Sequence, residues 1–150
     1  MDEAASGTVL AGGCHCGAVR YEARGTAFNA TICHCVDCRR VAGAPCVAWF
    51  SVARDGFHVV KGEPRRYASS TRAERSFCGS CGTPLTFAAH DARDEIDITT
   101  ASLDKPARVP PADHTRTARR LRWMRFADGL PAFPGTRAEG LVRVGGEGQG

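Results

Sequence analysis

No apolar run in this 150-residue chain approaches the roughly 18 residues that a membrane helix needs, so no membrane span is expected. The first residues, Met1-Asp2-Glu3-Ala4-Ala5-Ser6-Gly7, carry neither a positive stretch nor an apolar one. No secretory signal is therefore visible, and a cytoplasmic location is the expectation. No segment recurs at a fixed period, which argues against a solenoid or propeller. A long basic extension is also missing, and the formal charge is only +4. Nucleic acid is accordingly not expected as a partner.

What the chain does have is eight cysteines, and seven of them are clustered. Cys14-His15-Cys16-Gly17 is followed by Cys33-His34-Cys35-Val36-Asp37-Cys38-Arg39-Arg40, and then by Cys78-Gly79-Ser80-Cys81-Gly82. In a reducing compartment such clusters point to metal ligands or reactive groups rather than disulfides. Ligating cysteines bind as thiolates, so seven thiolates with two Zn²⁺ would change the formal charge by −3, leaving about +1. The basic excess is largely consumed by the sites themselves.

The first and third clusters together supply Cys14, Cys16, Cys78 and Cys81, four soft ligands suited to a tetrahedral structural zinc. Ordinary buried cysteines do not come in glycine-flanked pairs, and iron–sulfur ligands usually follow other spacings. The central cluster supplies only Cys33, Cys35 and Cys38. Zinc held by three thiolates keeps one position free for water or a substrate atom, as catalytic sites do. Three thiolates on Zn²⁺ leave a local charge of about −1. Arg39 and Arg40 could offset it or hold a substrate carboxylate by paired hydrogen bonds, unless they are a solvated surface pair. A rival reading completes the central set with Cys46 and closes both sites. Cys46 instead lies in the apolar run Ala44-Pro45-Cys46-Val47-Ala48-Trp49-Phe50 without a flanking glycine, as a small core residue would. His15 and His34, each between two ligands, should face away from the ion. Asp37 reads as a helix-start residue, His58 and His114 as satisfied histidines, and Trp123 as core or pocket wall.

The backbone reading is mainly β with one short helix. Thr8–Gly12 and Ala18–Ala23 form a hairpin around the first cysteine pair, and Ala27–Ile32 leads into the second cluster. Val36 to Ala42 reads as the helix, stopped by Gly43. Cys46–Val52 and Phe57–Lys61 read as a hairpin across Arg54-Asp55-Gly56. Residues 65–75 are polar with Tyr67 as their only large anchor. A further hairpin carries the third cluster at its tip, and Glu95–Thr100 is a strand with Ile96 and Ile98 inward. Residues 117–126 are ambiguous between helix and extended chain. A single domain is expected over 1–134, with residues 1–7 frayed and a Gly-rich disordered tail at 135–150.

The three cysteine motifs, together with Asp97-Ile98-Thr99-Thr100-Ala101-Ser102-Leu103-Asp104, His114, and Trp123 followed by Asp128-Gly129-Leu130-Pro131, resemble the glutathione-dependent formaldehyde-activating enzyme family, also called the CENP-V/GFA domain. The resemblance runs from about residue 10 to residue 134. It implies a mainly β, Mss4-like fold of antiparallel hairpins and small sheets with zinc knuckles. It implies two zincs per chain: a structural one on Cys14, Cys16, Cys78 and Cys81, and a labile catalytic one on Cys33, Cys35 and Cys38. The implied activity is that of a carbon–sulfur lyase on thiol–carbonyl adducts, which in the synthetic direction joins formaldehyde to glutathione as S-(hydroxymethyl)glutathione. The small-molecule partners are then a thiol such as glutathione and a small aldehyde. The alternative is a non-catalytic, zinc-stabilised binding module of the Mss4-like/CENP-V type. The incomplete ligand set favours the enzyme, since a scaffold needs no open position.

Overall fold

A computed structural model describes residues 8–92 and 94–137, together with the backbone of residues 142–143. The strands are β1 (Val9–Gly13), β2 (Arg20–Arg24), β3 (Phe28–Cys33), β4 (Val47–Ala53), β5 (Phe57–Lys61), β6 (Arg65–Ser70), β7 (Ala73–Phe77), β8 (Pro84–Ala89), β9 (Glu95–Thr99), β10 (Asp113–Thr115), β11 (Pro131–Ala132) and β12 (Val142–Arg143). Among the described residues there is one α-helix, α1 (Val36–Ala42), and the remaining helical pieces are single 3-10 turns. The fold is mainly β, as the sequence leads one to expect.

The chain groups into two compact units. One comprises residues 1–29 and 50–110, the other residues 30–49 and 111–150. In the first unit, β1, β2 and β5 form a three-stranded sheet, and β9, β8, β7 and β6 follow one another from the second half of β4. Leu10, Val19, Tyr21, Ala23, Phe50, Val52, Leu85 and Ile98 are its main buried side chains. The Tyr21 ring meets Phe57 at 5.3 Å, and its hydroxyl lies 2.7 Å from Ser102 Oγ, so a polar atom is satisfied within the apolar layer.

In the second unit β3 pairs in parallel with β10, and β10 in parallel with β11. The hairpins are thus supplemented by parallel pairings, one of them between segments more than 80 residues apart, which no local pattern signals. The register sets Thr115 opposite Cys33 and His114 opposite Ile32. β10 is therefore the structural neighbour of the central cysteine loop.

Several expectations change at this level. Phe57–Lys61 does not return against β4 but pairs with β2 in the other sheet. Arg54–Gly56 is a 3-10 turn, and a Cβ on Gly56 would stand 2.3 Å from the Arg24 carbonyl. The glycine lets this crossover pass over the end of β2. Residues 65–75, read as merely polar, lie in the antiparallel pair β6–β7. β6 ends the strand order and is mostly exposed, so it carries no alternating apolar face, and Tyr67 is 52% exposed. Residues 117–126 are neither helix nor strand beyond one 3-10 turn at Thr117–Arg119. Trp123, expected as core or pocket wall, is 70% exposed. At the C-terminus, Arg137 donates to Asp113 and β12 pairs with β11. The rest of the expected tail, and the frayed residues 1–7, lie outside the described residues.

Candidate functional site

The first and third cysteine clusters occupy two turns built alike. The Cys14 N–H donates to the Val19 carbonyl at 3.0 Å, and the Cys78 N–H to the Thr83 carbonyl at 3.0 Å. Gly17 and Gly82 close the turns at φ +81° and +84°, a backbone region that L side chains rarely occupy. The His15 N–H donates to Thr83 Oγ1 at 3.0 Å, which ties one turn to the other.

The result is four sulfurs within 4.8 Å of one another, with Cys14 to Cys16 at 3.6 Å and Cys16 to Cys78 at 3.8 Å. Zinc–sulfur bonds of about 2.3 Å in a tetrahedron require sulfur–sulfur edges of about 3.8 Å. These separations are far beyond a disulfide bond of about 2.05 Å. Cys14 Sγ accepts from the Val19 N–H at 3.2 Å, and Cys78 Sγ from the N–H groups of Ser80 and Cys81 at 3.3 and 3.4 Å. Such donors favour thiolates.

The thiols respond unequally. The Thr83 hydroxyl and nearby N–H groups pull Cys81 down to about 5. Burial works to raise Cys14, but the Val19 N–H and neighbouring sulfurs leave it below its ordinary value. At Cys16 the Ala18 N–H lowers the thiol, yet Cys14 and the other sulfurs outweigh it and push it up to about 11. Four crowded sulfurs cannot all carry negative charge without a cation among them. This set fits a divalent soft metal.

The second set is carried by the junction of β3 and α1. Cys33 ends β3, Cys35 is the N-cap of α1, and Cys38 is buried in its first turn. Cys35 Sγ accepts from the Cys38 N–H at 3.1 Å, so a helix cap also orients a ligand sulfur. Gly43 stops the helix at φ 62°, as the sequence predicts. The three sulfurs lie within 4.8 Å of one another, Cys33 to Cys38 at 3.6 Å. The Cys35 and Cys38 sulfurs, and then burial, push the Cys33 thiol far up. Here too a cation is needed before all three ionise.

Cys46 is not among these sulfurs. Burial raises its thiol, which keeps it neutral, as suits a small half-buried side chain. Arg39 is half-buried and Arg40 exposed, and among the described residues neither forms an ion pair. Asp37 is exposed in the first turn of the helix, and His15 and His58 are exposed as well.

The profile of the family described as glutathione-dependent formaldehyde-activating enzyme matches residues 9–119. The chain belongs to this family. Both cysteine sets of this chain could hold metal ions. A Schizosaccharomyces pombe protein described as an uncharacterized lyase is 38% identical over 87 residues, which covers 58% of this chain and 63% of the relative. The chain thus matches less than two thirds of that relative's length. A crystal structure of a Rhodobacter sphaeroides protein aligns with a TM-score of 0.53 at 26% identity, over 63% of this chain and 87% of that one. Its likeness supports the mainly β fold expected of the family.

Sequence reasoning missed a chain of side chains, its two histidines buried, beside the three-cysteine loop. His34 and His114 were each assessed alone, yet the structure brings them together. His34 Nε2 lies 3.0 Å from His114 Nδ1, and His114 Nε2 lies 2.9 Å from Asp128 Oδ2. Phe126 meets the His34 ring edge-on at 5.4 Å and His114 at 4.5 Å. Burial first, then the His114 and Arg120 charges, lowers His34 to about 4, so its ring is neutral at physiological pH. Burial works to raise Asp128, but hydrogen bonds from His114 and from the Leu130 N–H hold it below the usual carboxylate range. The only sequence signal was that His114 and Asp128 fall in segments shared with the family.

Proposed function

We propose that this protein is a zinc-dependent carbon–sulfur lyase-type enzyme acting on thiol–carbonyl adducts, in the manner of an S-(hydroxymethyl)glutathione synthase. The observation that carries the reading is the contrast between the two sulfur sets, one of four and one of three. Cys14, Cys16, Cys78 and Cys81 would hold a structural zinc, and Cys33, Cys35 and Cys38 a catalytic and more labile one. Held by Cys33, Cys35 and Cys38, the ion would supply the Lewis acidity that lowers the pKa of a substrate thiol.

The chain's residues do the rest by position. α1 orients Cys35 and Cys38 through its first turn, and the end of β3 sets Cys33. Arg39 and Arg40, next along the helix, are available to hold the carboxylates of an acidic thiol such as glutathione. In the synthetic direction the thiol sulfur bonds to the carbonyl carbon of a small aldehyde, and the proton lost by sulfur ends on the carbonyl oxygen. Lyase action is the reverse. No helix among the described residues is long and apolar enough to cross a membrane, and we place the protein in the cytoplasm.

Zinc per chain, measured by elemental analysis, together with turnover of glutathione and ¹³C-formaldehyde followed by NMR, tests this reading. Native protein and Cys46→Ala should each hold two zincs, and Cys35→Ala one zinc with no turnover. Loss of a zinc in Cys46→Ala would indicate two closed sites and turn the reading to the non-catalytic binding module. Turnover retained in Cys35→Ala would remove the catalytic role of the triad.

A further inference from the structure

We propose that Asp128, His114 and His34 form a tether that positions the three-cysteine loop for its metal, a role that rests on the metal reading given above. His34 is the residue between two of the three sulfurs, and its side chain is fully buried at 0% exposure. β10 grips it twice. The His34 main-chain N–H donates to the Thr115 carbonyl at 3.0 Å, and its ring meets the His114 ring on the same strand. Asp128 in turn fixes His114 from the far side, and Phe126 closes against both rings. With its backbone and its ring both held, His34 leaves Cys33 and Cys35 little freedom to re-aim their sulfurs.

The chain also has a defined proton arrangement. A carboxylate can only accept, so His114 carries its proton on Nε2. In the proposed tether His114 Nδ1 is the acceptor and His34 Nε2–H the donor. His34 Nδ1 is left as a buried acceptor, and it has no partner among the described residues. A buried ring oriented by a neighbouring side chain is suited to holding a loop in one geometry. Groups that orient metal ligands without touching the metal typically change metal affinity by about 10–100-fold when removed. Asp128 is well suited to the test, because its side chain is 34% exposed and its truncation leaves no cavity in the core.

The experiment follows zinc release from the full-length, zinc-loaded protein to a colorimetric chelator at pH 8. Two phases are expected, and the one absent from Cys35→Ala belongs to the three-cysteine set. Asp128→Ala should accelerate that phase by about 10–100-fold and leave the four-cysteine phase unchanged. Asp128→Asn, whose side-chain oxygen still accepts from His114, should restore release to within a few-fold of the native rate, roughly an order of magnitude slower than Asp128→Ala. Two-bond ¹⁵N–¹H correlation spectra of the native protein should show both His34 and His114 protonated on Nε2. Acceleration of both phases would make the chain a general stabiliser and overturn the tether, as would no acceleration of either. A His34 protonated on Nδ1 would also overturn it. A native protein that holds a single zinc would sink the open-site reading itself, and the tether with it. Two zincs with an unmoved labile phase would sink the tether alone.

Discussion

At the scale of single residues, the deciding physics is charge crowding among sulfurs. Cys16 and Cys81 are both exposed, yet one thiol is pushed up and the other down by their neighbours. A shared cation would let these sulfurs ionise together. Structural zinc contributes about 10–16 kcal/mol in small zinc domains, which equals or exceeds the whole stability of a typical domain. Cys14→Ala or Cys78→Ala should therefore give unfolded or insoluble protein, while Cys35→Ala stays folded. Circular dichroism and solubility check this, and an ordinary melting curve for Cys14→Ala would remove the structural assignment.

A second prediction at this scale concerns acid stability. The Arg20 guanidinium bonds both carboxylate oxygens of Asp104, at 2.9 and 2.5 Å, and holds its pKa below the usual range. A depressed carboxylate contributes stability that is fully present above its unfolded pKa of about 3.9 and is lost as pH falls through the folded value. Both side chains are partly exposed, so the pair contributes only about 0.2–1 kcal/mol. Asp104→Asn should lower stability slightly at pH 7 and flatten the acid limb below about pH 4 in urea titrations taken at successive pH values.

At the scale of elements, turns carry the ligands and close backbone approaches fix the pairings. Gly62, at φ +74°, follows β5, and a Cβ there would stand 2.0 Å from the Ala18 carbonyl. The strain of the left-handed backbone adds to that clash. Gly62→Ala should cost about 2 kcal/mol or more, read as a lower urea midpoint, with protection lost first in amide exchange of β2 and β5. Gly12 is a milder case: its Cβ would meet Tyr21 Oη at 2.4 Å and the Ser102 carbonyl at 2.7 Å. Gly12→Ala should displace the Tyr21–Ser102 hydrogen bond and cost about 1–3 kcal/mol by the same measurement.

The elements that were legible in the sequence are those with local signals. α1 spans Val36–Ala42 and ends at Gly43 where the sequence places it, though its cap is Cys35 and not Asp37, and the cysteine hairpins pair as their flanking strands suggest. Those that were not legible depend on partners elsewhere. β5 has a hairpin-like turn before it but pairs with β2, and the exposed edge strand β6 has no apolar rhythm to announce it.

At the scale of the whole molecule, the grouping of cysteines into four and three gives the chain two unlike sulfur sets that could hold metal ions. That grouping follows from sequence alone, because C-x-C and C-x-x-C spacings oblige neighbouring sulfurs to converge and three clusters allow few partitions. The helix limits, the core strands and family membership were readable for the same reason, since each rests on residues close together along the chain. Tertiary structure decided the rest. It joined His34 to His114, 80 residues away, and His114 to Asp128, and it set β10 beside Cys33. It also left Trp123 in solvent. Contacts of this kind form only when distant strands settle in register, and no spacing within one segment encodes which partner a buried histidine will meet.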